Sequence, residues 1–279
     1  MIKIGKIQTL TVSEESDSGY KLTDDSENFV FLPGSIAPLG LEIGGKLKVF
    51  VNSDNQGRPI ATPEIPCVEV DSFAYLRVKE EAAFGFFFDW GISKDLLMPG
   101  NQKKEDIYVA SSYFVRVCLD PQSNRIFATQ RFEEYLKNEN IEIHENQRVD
   151  IVPYQETPLG FNVVINDKYS GMIYHNEIFS EVSIGKKTIG YVKKIRDDHR
   201  IDVSINPVGM AGVRENTDFL LNALKESDGF LPITTYSSPE DVYKMFGISK
   251  LAFKKAFSAL FKAGIVEKTE NGIKLVPKK

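Results

Sequence analysis

The stretch FGFFFDWG, residues 84–91, contains the dipeptide that decides the fold: a glycine followed by an aromatic residue. The same dipeptide occurs at Gly19-Tyr20 and at Gly160-Phe161. The three glycines are spaced roughly 65–75 residues apart, which is the size of one small structural unit. This spacing indicates an internal repeat in three copies.

Two further features recur at fixed distances from these glycines. A short apolar run ends 14 or 15 residues after each glycine, at Pro33, Pro99 and His175. An arginine that opens a final strand lies 39 or 40 residues after each glycine, at Arg58, Arg125 and Arg200. Each arginine follows a polar turn, and each turn follows an apolar strand, which is the pattern of a β-hairpin.

Each copy therefore supplies about five short strands, since another alternating run precedes each glycine. Five antiparallel strands of this length leave exposed edges unless they close into a small Greek-key barrel. The sequence predicts a mainly β protein with three tandem five-stranded barrels of the OB type. The predicted boundaries are 1–64, 65–136 and 137–207.

Residues 208–279 follow a different period, close to 3.6, and are predicted to form an α-helical C-terminal domain. Ser238-Pro239 is a typical helix start, with Val242, Met245 and Phe246 as its buried stripe, and Gly247 ends that helix. Ser249 can cap a second helix that runs to about Lys262. Two short strands around Asn271-Gly272 then complete a winged helix.

The second and third copies resemble the S1 RNA-binding domain, an OB-fold variant. Phe84-Gly85-Phe86-Phe87, with Asp120 and Arg125, is similar to the aromatic half of the S1 pattern. The third copy resembles its polar half, with His175, Asp197 and Arg200. The first copy keeps Asp54 and Arg58 but has Ser18 and Lys21 at the aromatic positions and Pro33 in place of the His, so it departs furthest.

The whole order of three S1-like barrels and a winged helix resembles the conserved virulence factor B family of Gram-positive bacteria. The most similar segments are GFFFDWG and KDLLMP in the second barrel and SPEDVYKMFGISKLAFKKAF in the tail. The resemblance implies an RNA-binding regulator that controls gene expression after transcription.

Composition narrows the function classes. The net charge is −5, and only residues 208–279 are basic, with 11 Lys or Arg against 8 Asp or Glu. No apolar run is long enough to span a membrane, and MIKIGKIQTL does not resemble a signal peptide, so we expect a cytoplasmic protein without a membrane partner. Cys67 and Cys118 lie in predicted strands without a CxxC motif, which favours buried free thiols.

No common catalytic motif is present, so we expect no enzymatic activity, no cofactor and no metal site. Asp/Glu pairs such as Asp197-Asp198 lie in predicted turns, where solvated carboxylates are usual. A nuclease site assembled from separate strands is the remaining catalytic alternative.

The candidate RNA-binding residues are stacking aromatics and basic side chains of the barrels. They are Phe84, Phe87, Asp120, Arg125, His175, Lys193, Lys194, Arg196 and Arg200. Exposed aromatic rings beside basic groups hold single strands on OB-type barrels. The alternatives are that the phenylalanines pack into barrel cores, that His175 is merely exposed, and that the arginines pair with the preceding Asp. We expect Trp90 to be a partly buried turn anchor.

In the tail, Lys250, Lys254 and Lys255 lie at the start of the predicted recognition helix, where nucleic-acid contacts occur. Winged helices also dock proteins. Three functions therefore stay open: a single-stranded RNA-binding regulator, a protein-interaction adaptor with degenerate S1 barrels, and a DNA-binding regulator that uses the winged helix alone.

Overall fold

The computed structural model describes residues 1–54, 56–175, 178, 182–206 and 209–276. The chain divides into two compact units, Met1–Tyr135 and Leu136–Lys279. The first contains ten strands and the second contains eight strands and three α-helices among the described residues.

Ten strands build the first unit as two barrels. They are β1 (Ile7–Ser16), β2 (Gly19–Thr23), β3 (Phe29–Pro33), β4 (Lys46–Ser53), β5 (Pro59–Thr62), β6 (Phe73–Ala82), β7 (Gly85–Asp89), β8 (Leu96–Pro99), β9 (Ser112–Leu119) and β10 (Ile126–Thr129). The first barrel closes in the order β1-β2-β3-β5-β4, and the second is a five-stranded sheet in the order β10-β9-β6-β7-β8. The second barrel is thus left unpaired between β8 and β10.

A third barrel opens the second unit. Its strands are β11 (Arg148–Thr157), β12 (Gly160–Ile165), β13 (Tyr169–Tyr174), β14 (Thr188–Ile195) and β15 (Ile201–Ser204). It closes in the order β11-β12-β13-β15-β14, the same topology as the first barrel. The predicted class, mainly β with a helical C-terminal domain, is confirmed.

The repeated glycines start the second strand of each barrel because no side chain fits there. A Cβ on Gly19, Gly85 or Gly160 would lie about 2 Å from a carbonyl oxygen of the neighbouring strand, which is far inside van der Waals contact. All three glycines also have positive φ, between 147° and 158°. The dipeptide that reveals the repeat is therefore a steric requirement of the barrel.

The first barrel has a hydrophobic core of its own and also contributes Phe50 to the core of the second barrel. Phe50 of β4 packs with the core residues of the second barrel, and its ring meets Trp90 edge-on at 5.4 Å. Trp90 is only 2% exposed and donates a hydrogen bond to the Lys94 carbonyl. The expected turn anchor is thus a fully buried residue at the junction of two barrels.

The C-terminal domain has the predicted helix-turn-helix and wing. Helices α1 (Gly209–Glu226), α2 (Pro239–Phe246) and α3 (Lys250–Lys262) pack with strands β16 (Phe230–Leu231), β17 (Val266–Lys268) and β18 (Ile273–Leu275). The side chains of Ser238 and Ser249 accept capping bonds from Asp241 N and Ala252 N. Gly247 ends α2 in the left-handed conformation, with φ of 66°.

Two expectations about buried residues are wrong. Met245 is 42% exposed, because Val242 and Phe246 suffice to cover the inner face of the eight-residue helix α2. Cys67 is exposed and lies outside any strand, in the segment between the first two barrels. Cys118 is buried in β9 as predicted, and both thiols are free. Among the described residues, no helix is long and apolar enough to cross a membrane.

Candidate nucleic-acid interface

A groove of about 930 Å³ in the first unit runs over the face of the second barrel. The strand face supplies Phe87 from β7, Leu97 from β8 and Phe127 from β10. The last hairpin adds Asp120 and Arg125. The structure therefore brings three of the predicted site residues, Phe87, Asp120 and Arg125, to one groove.

Phe84 and Phe87 are the accessible members of the aromatic run. Phe86 and Phe88 point into the barrel core, at 6% and 0% exposure, whereas Phe84 is 62% exposed and Phe87 is half-buried. The rings of Phe84 and Phe87 meet edge-to-face with 5.9 Å between centroids. The two rings are nearly perpendicular, at 88°, so each presents its own accessible face on which a base can stack.

Asp120 organises the turn that carries Arg125. Its carboxylate accepts hydrogen bonds from Ser123 Oγ at 2.5 Å and Gln122 N at 3.0 Å. These bonds, that of Ser123 first, lower the pKa of the Asp120 carboxyl. The side chain of Arg125 is exposed at the groove. Asp120 therefore acts on the groove through the shape of the hairpin.

Sequence reasoning missed most of the groove lining, including Phe127, Lys94 and Tyr135. Burial lowers the pKa of the Lys94 ammonium, an effect that Asp54 counteracts. Burial raises the pKa of Tyr135 to about 12, with Cys118 adding to the shift, so the phenol keeps its proton. Phe127 could have been found, since it lies two residues after the repeated Arg125, in the strand IFAT.

In the third barrel the predicted basic side chains are largely held by carboxylates. Arg196 donates from Nε to both oxygens of Asp202, at 3.0 and 3.1 Å, and from Nη2 to the Tyr174 hydroxyl at 2.9 Å. Arg200 pairs with Asp198 at 3.2 Å. For Arg200 the structure shows the alternative of a pair with a preceding Asp, whereas Arg196 pairs with an Asp that follows it in the chain. Lys193 and Lys194 are exposed on β14.

His175 does not occupy the position matched to Pro33 and Pro99. Those prolines pair with Gly19 and Gly85, and Gly160 pairs with Tyr174. His175 lies one residue further, exposed, with Nε2 at 3.0 Å from the Thr157 carbonyl and its ring edge-on to Phe161 at 5.8 Å. The half-buried Tyr174 is therefore the aromatic group at the equivalent position.

The first barrel has lost the aromatic pair of this face. Lys21 stands where Phe87 stands in the second barrel, and it pairs with Glu14 at 2.8 Å. Its ammonium also lies 5.0 Å from the centre of the Phe29 ring. Arg58 pairs with Asp54 at 2.7 Å. The expected divergence of this copy is visible in these contacts.

The winged helix presents Lys254 and Lys255 on the exposed side of α3. Lys250 is half-buried and donates to the Tyr236 carbonyl at 3.4 Å. Lys268 of β17 lies 4.4 Å from the centre of the Tyr236 ring, which is highly exposed. Leu251 of α3 is also exposed. The winged helix thus exposes both positive charge and apolar side chains.

Comparison with known proteins agrees with this architecture. Residues 218–275 match the family model of the CvfB-like winged helix domain, and residues 4–64 match that of the S1 domain. The chain is 22% identical over 245 residues to conserved virulence factor B of Staphylococcus aureus, covering 85% of this chain and 82% of that protein. The predicted resemblance to the conserved virulence factor B family is confirmed. Both matched families are nucleic-acid-binding domains.

One further curated protein and one solved structure also match most of this chain. The uncharacterized protein YitL of Bacillus subtilis is 27% identical over 276 residues, covering 96% of this chain and 92% of YitL. A solved structure of a multidomain protein with nucleic acid binding domains from Streptococcus pneumoniae is 22% identical, covers 98% of both chains and has a TM-score of 0.38.

Proposed function

We propose that this protein binds single-stranded RNA across its second and third barrels, assisted by the winged helix, and regulates gene expression after transcription. The observation that carries the proposal is the edge-to-face pair of Phe87, which lies on β7 and lines the groove, and Phe84, which is exposed in the turn just before β7. Accessible aromatic rings tolerate any base, since every base has a π-face. We further propose a cytoplasmic protein without catalytic activity, with domains at 1–64, 65–136, 137–207 and 208–279.

The alternative of a protein adaptor is favoured by the engaged cations of the third barrel. Arg196 and Arg200 already bind Asp202 and Asp198, which reduces the charge they offer to phosphates. The alternative of a DNA-binding regulator is favoured by Lys254 and Lys255, exposed on the helix that enters the major groove in helix-turn-helix proteins.

A titration of the full chain against single-stranded RNA, single-stranded DNA and duplex DNA, each at two salt concentrations, separates these functions. We expect salt-sensitive binding with a preference for single-stranded RNA, and a sharp loss of affinity in Phe84→Ala/Phe87→Ala. Phe29→Ala is a matched control, because Phe29 is equally exposed but lies on the first barrel. Unchanged RNA affinity in the folded double variant would contradict the proposal.

A further inference from the structure

The groove over the second barrel has a wall that comes from the first barrel. Asn52, Ser53 and Asp54, at the end of β4 and in the turn that follows, line it together with the residues of the second barrel. Asn52 and Ser53 are buried polar residues. The copy whose own ligand face has diverged most therefore lies along the best-formed ligand face of its neighbour.

Several contacts hold this wall against the second barrel. The Lys94 ammonium donates to the Ser53 carbonyl at 2.5 Å, and Ser93 N donates to Glu64 Oε2 at 2.8 Å. The edge-on contact of Phe50 with Trp90 fills the space behind them. Contacts of three kinds, apolar, polar and charged, fix the wall, which indicates a single packed arrangement.

The last hairpins of the two barrels also touch at one end of the groove. A Cβ on Gly57 would lie 2.1 Å from the Ser123 carbonyl oxygen, so the two turns are packed backbone to backbone. Ser123 lines the groove. Only glycine permits this approach, and any side chain at position 57 must push the wall outward.

The charge of the groove indicates which part of a nucleic-acid strand enters it. Four carboxylates line it, Asp54, Glu80, Asp95 and Asp120, against two cations, Lys94 and Arg125. Arg58 and Lys79 pair with Asp54 and Asp95, so the charges around the groove balance, and a phosphate backbone laid along the lining would meet no excess of positive charge. The aromatic and apolar side chains of Phe87, Leu97 and Phe127 suit bases instead.

We propose that the first two barrels form one composite groove that takes unstacked bases of a single strand between the Asn52–Asp54 wall and the Phe87 face, with the phosphates outside. The proposal rests on the single-strand binding proposed above and adds the wall and the base-inward orientation. The volume of about 930 Å³ is that of a small-molecule site, so the groove holds a short segment of the strand.

Gly57→Ala tests the wall, with Gly40→Ala as a matched control. Both glycines belong to the first barrel and have almost the same φ, 79° and 78°, so alanine costs similar backbone strain at both. A Cβ at position 40 meets nothing within 4 Å. The added Cβ contacts Ser123 and Asn124 at position 57 and nothing at position 40, and a cooperative melting transition verifies that each variant is folded.

The readouts are the affinity for a short single-stranded RNA and the fluorescence of Trp90. Trp90 is the only tryptophan of the chain and lines the groove, so its emission reports occupancy without a label. We expect Gly57→Ala to weaken binding by about fivefold or more and to reduce the Trp90 signal, with Gly40→Ala unchanged. We also expect the ratio of Gly57→Ala to wild-type affinity to stay constant as salt rises.

Equal affinities of the two glycine variants would overturn the composite groove. If Phe84→Ala/Phe87→Ala loses RNA binding in the same assay, the proposed RNA-binding function still stands in that case. A deficit of Gly57→Ala that disappears at high salt would overturn the base-inward orientation. If the Phe84/Phe87 variant binds normally, the proposed function fails first and the composite groove fails with it.

Discussion

Arg196 and Asp202 form a bidentate ion pair on the third barrel, with three nitrogen-to-oxygen distances of 3.0–3.1 Å. Asp202 occupies the second position of β15, where the second barrel has Phe127 in β10. The same strand position is thus apolar in one copy and acidic in another, and the acid holds the arginine.

Releasing Arg196 should strengthen RNA binding. In Asp202→Ala the guanidinium loses its carboxylate partner, and one phosphate contact changes the logarithmic salt slope by about −0.7 for a single strand. We expect higher affinity at low salt and a steeper slope, measured by titration over a salt series. Asp150→Ala, which removes the partner of Lys187 on the same barrel, controls for net charge. Equal effects of the two substitutions would show that Arg196 is not a latent phosphate contact.

Phe127→Ala should weaken single-strand binding as Phe87→Ala does. Both side chains line the groove, and each stacked base contributes about 1–3 kcal/mol. Ile60→Ala removes the second residue of β5, the equivalent strand of the first barrel, and is the matched control. The measurement is the affinity for a short RNA together with the melting temperature. An equal loss in both variants would point to a general effect on the barrels.

The repeat could be read from the sequence because its marker is sterically fixed. Gly19, Gly85 and Gly160 sit where a Cβ would strike the adjacent strand, and the caps at Ser238 and Ser249 are equally local. The sequence aligned His175 with Pro33 and Pro99, but the structure places Tyr174, one residue earlier, opposite Gly160. The difference arises because strand register depends on the pairing between strands. Local sequence features therefore predicted the strands and helices, but they could not predict the register between strands.

The groove needed contacts between residues far apart in the chain. Lys94 contacts Ser53, 41 residues away in the chain, and Trp90 next to the second barrel contacts Phe50 of the first. No period or spacing records such packing, since it depends on how two finished barrels dock. Strand alternation explains Phe87 as an accessible ring, and the prediction of Phe84, which lies in the turn before β7, came from the resemblance to the S1 pattern. The wall opposite them followed from neither.

Acid should loosen the junction between the first two barrels. Hydrogen bonds from the Ser93 side chain and backbone hold the pKa of the Glu64 carboxyl below its usual range. A folded-state pKa below the unfolded one contributes stability above the unfolded value of about 4.3, and that contribution is lost as pH falls through the folded pKa. Asp54 and Asp120 have pKa values lowered in the same direction.

The test is the melting temperature of wild type and Glu64→Gln between about pH 3 and pH 7. We expect a smaller acid-induced drop in Glu64→Gln, because the amide does not titrate. Glu42→Gln, an exposed residue of the first barrel, should follow the wild-type curve. A Glu64→Gln curve parallel to wild type throughout would show that the Glu64–Ser93 contact carries no pH-dependent stability.

Lys254→Ala/Lys255→Ala should separate the role of the winged helix from that of the barrels. The two exposed lysines of α3 can release counterions from phosphates, a contribution that weakens as salt rises. We expect the Lys254/Lys255 variant to bind RNA more weakly than wild type at low salt and equally at high salt. The loss of RNA affinity in Phe87→Ala should persist at both salt concentrations. Lys225→Ala/Lys262→Ala makes the same charge change at the C-terminal ends of α1 and α3. If the Lys254/Lys255 variant loses duplex DNA binding and keeps full RNA affinity, the winged helix serves DNA, and the assisting role proposed for it in RNA binding is wrong.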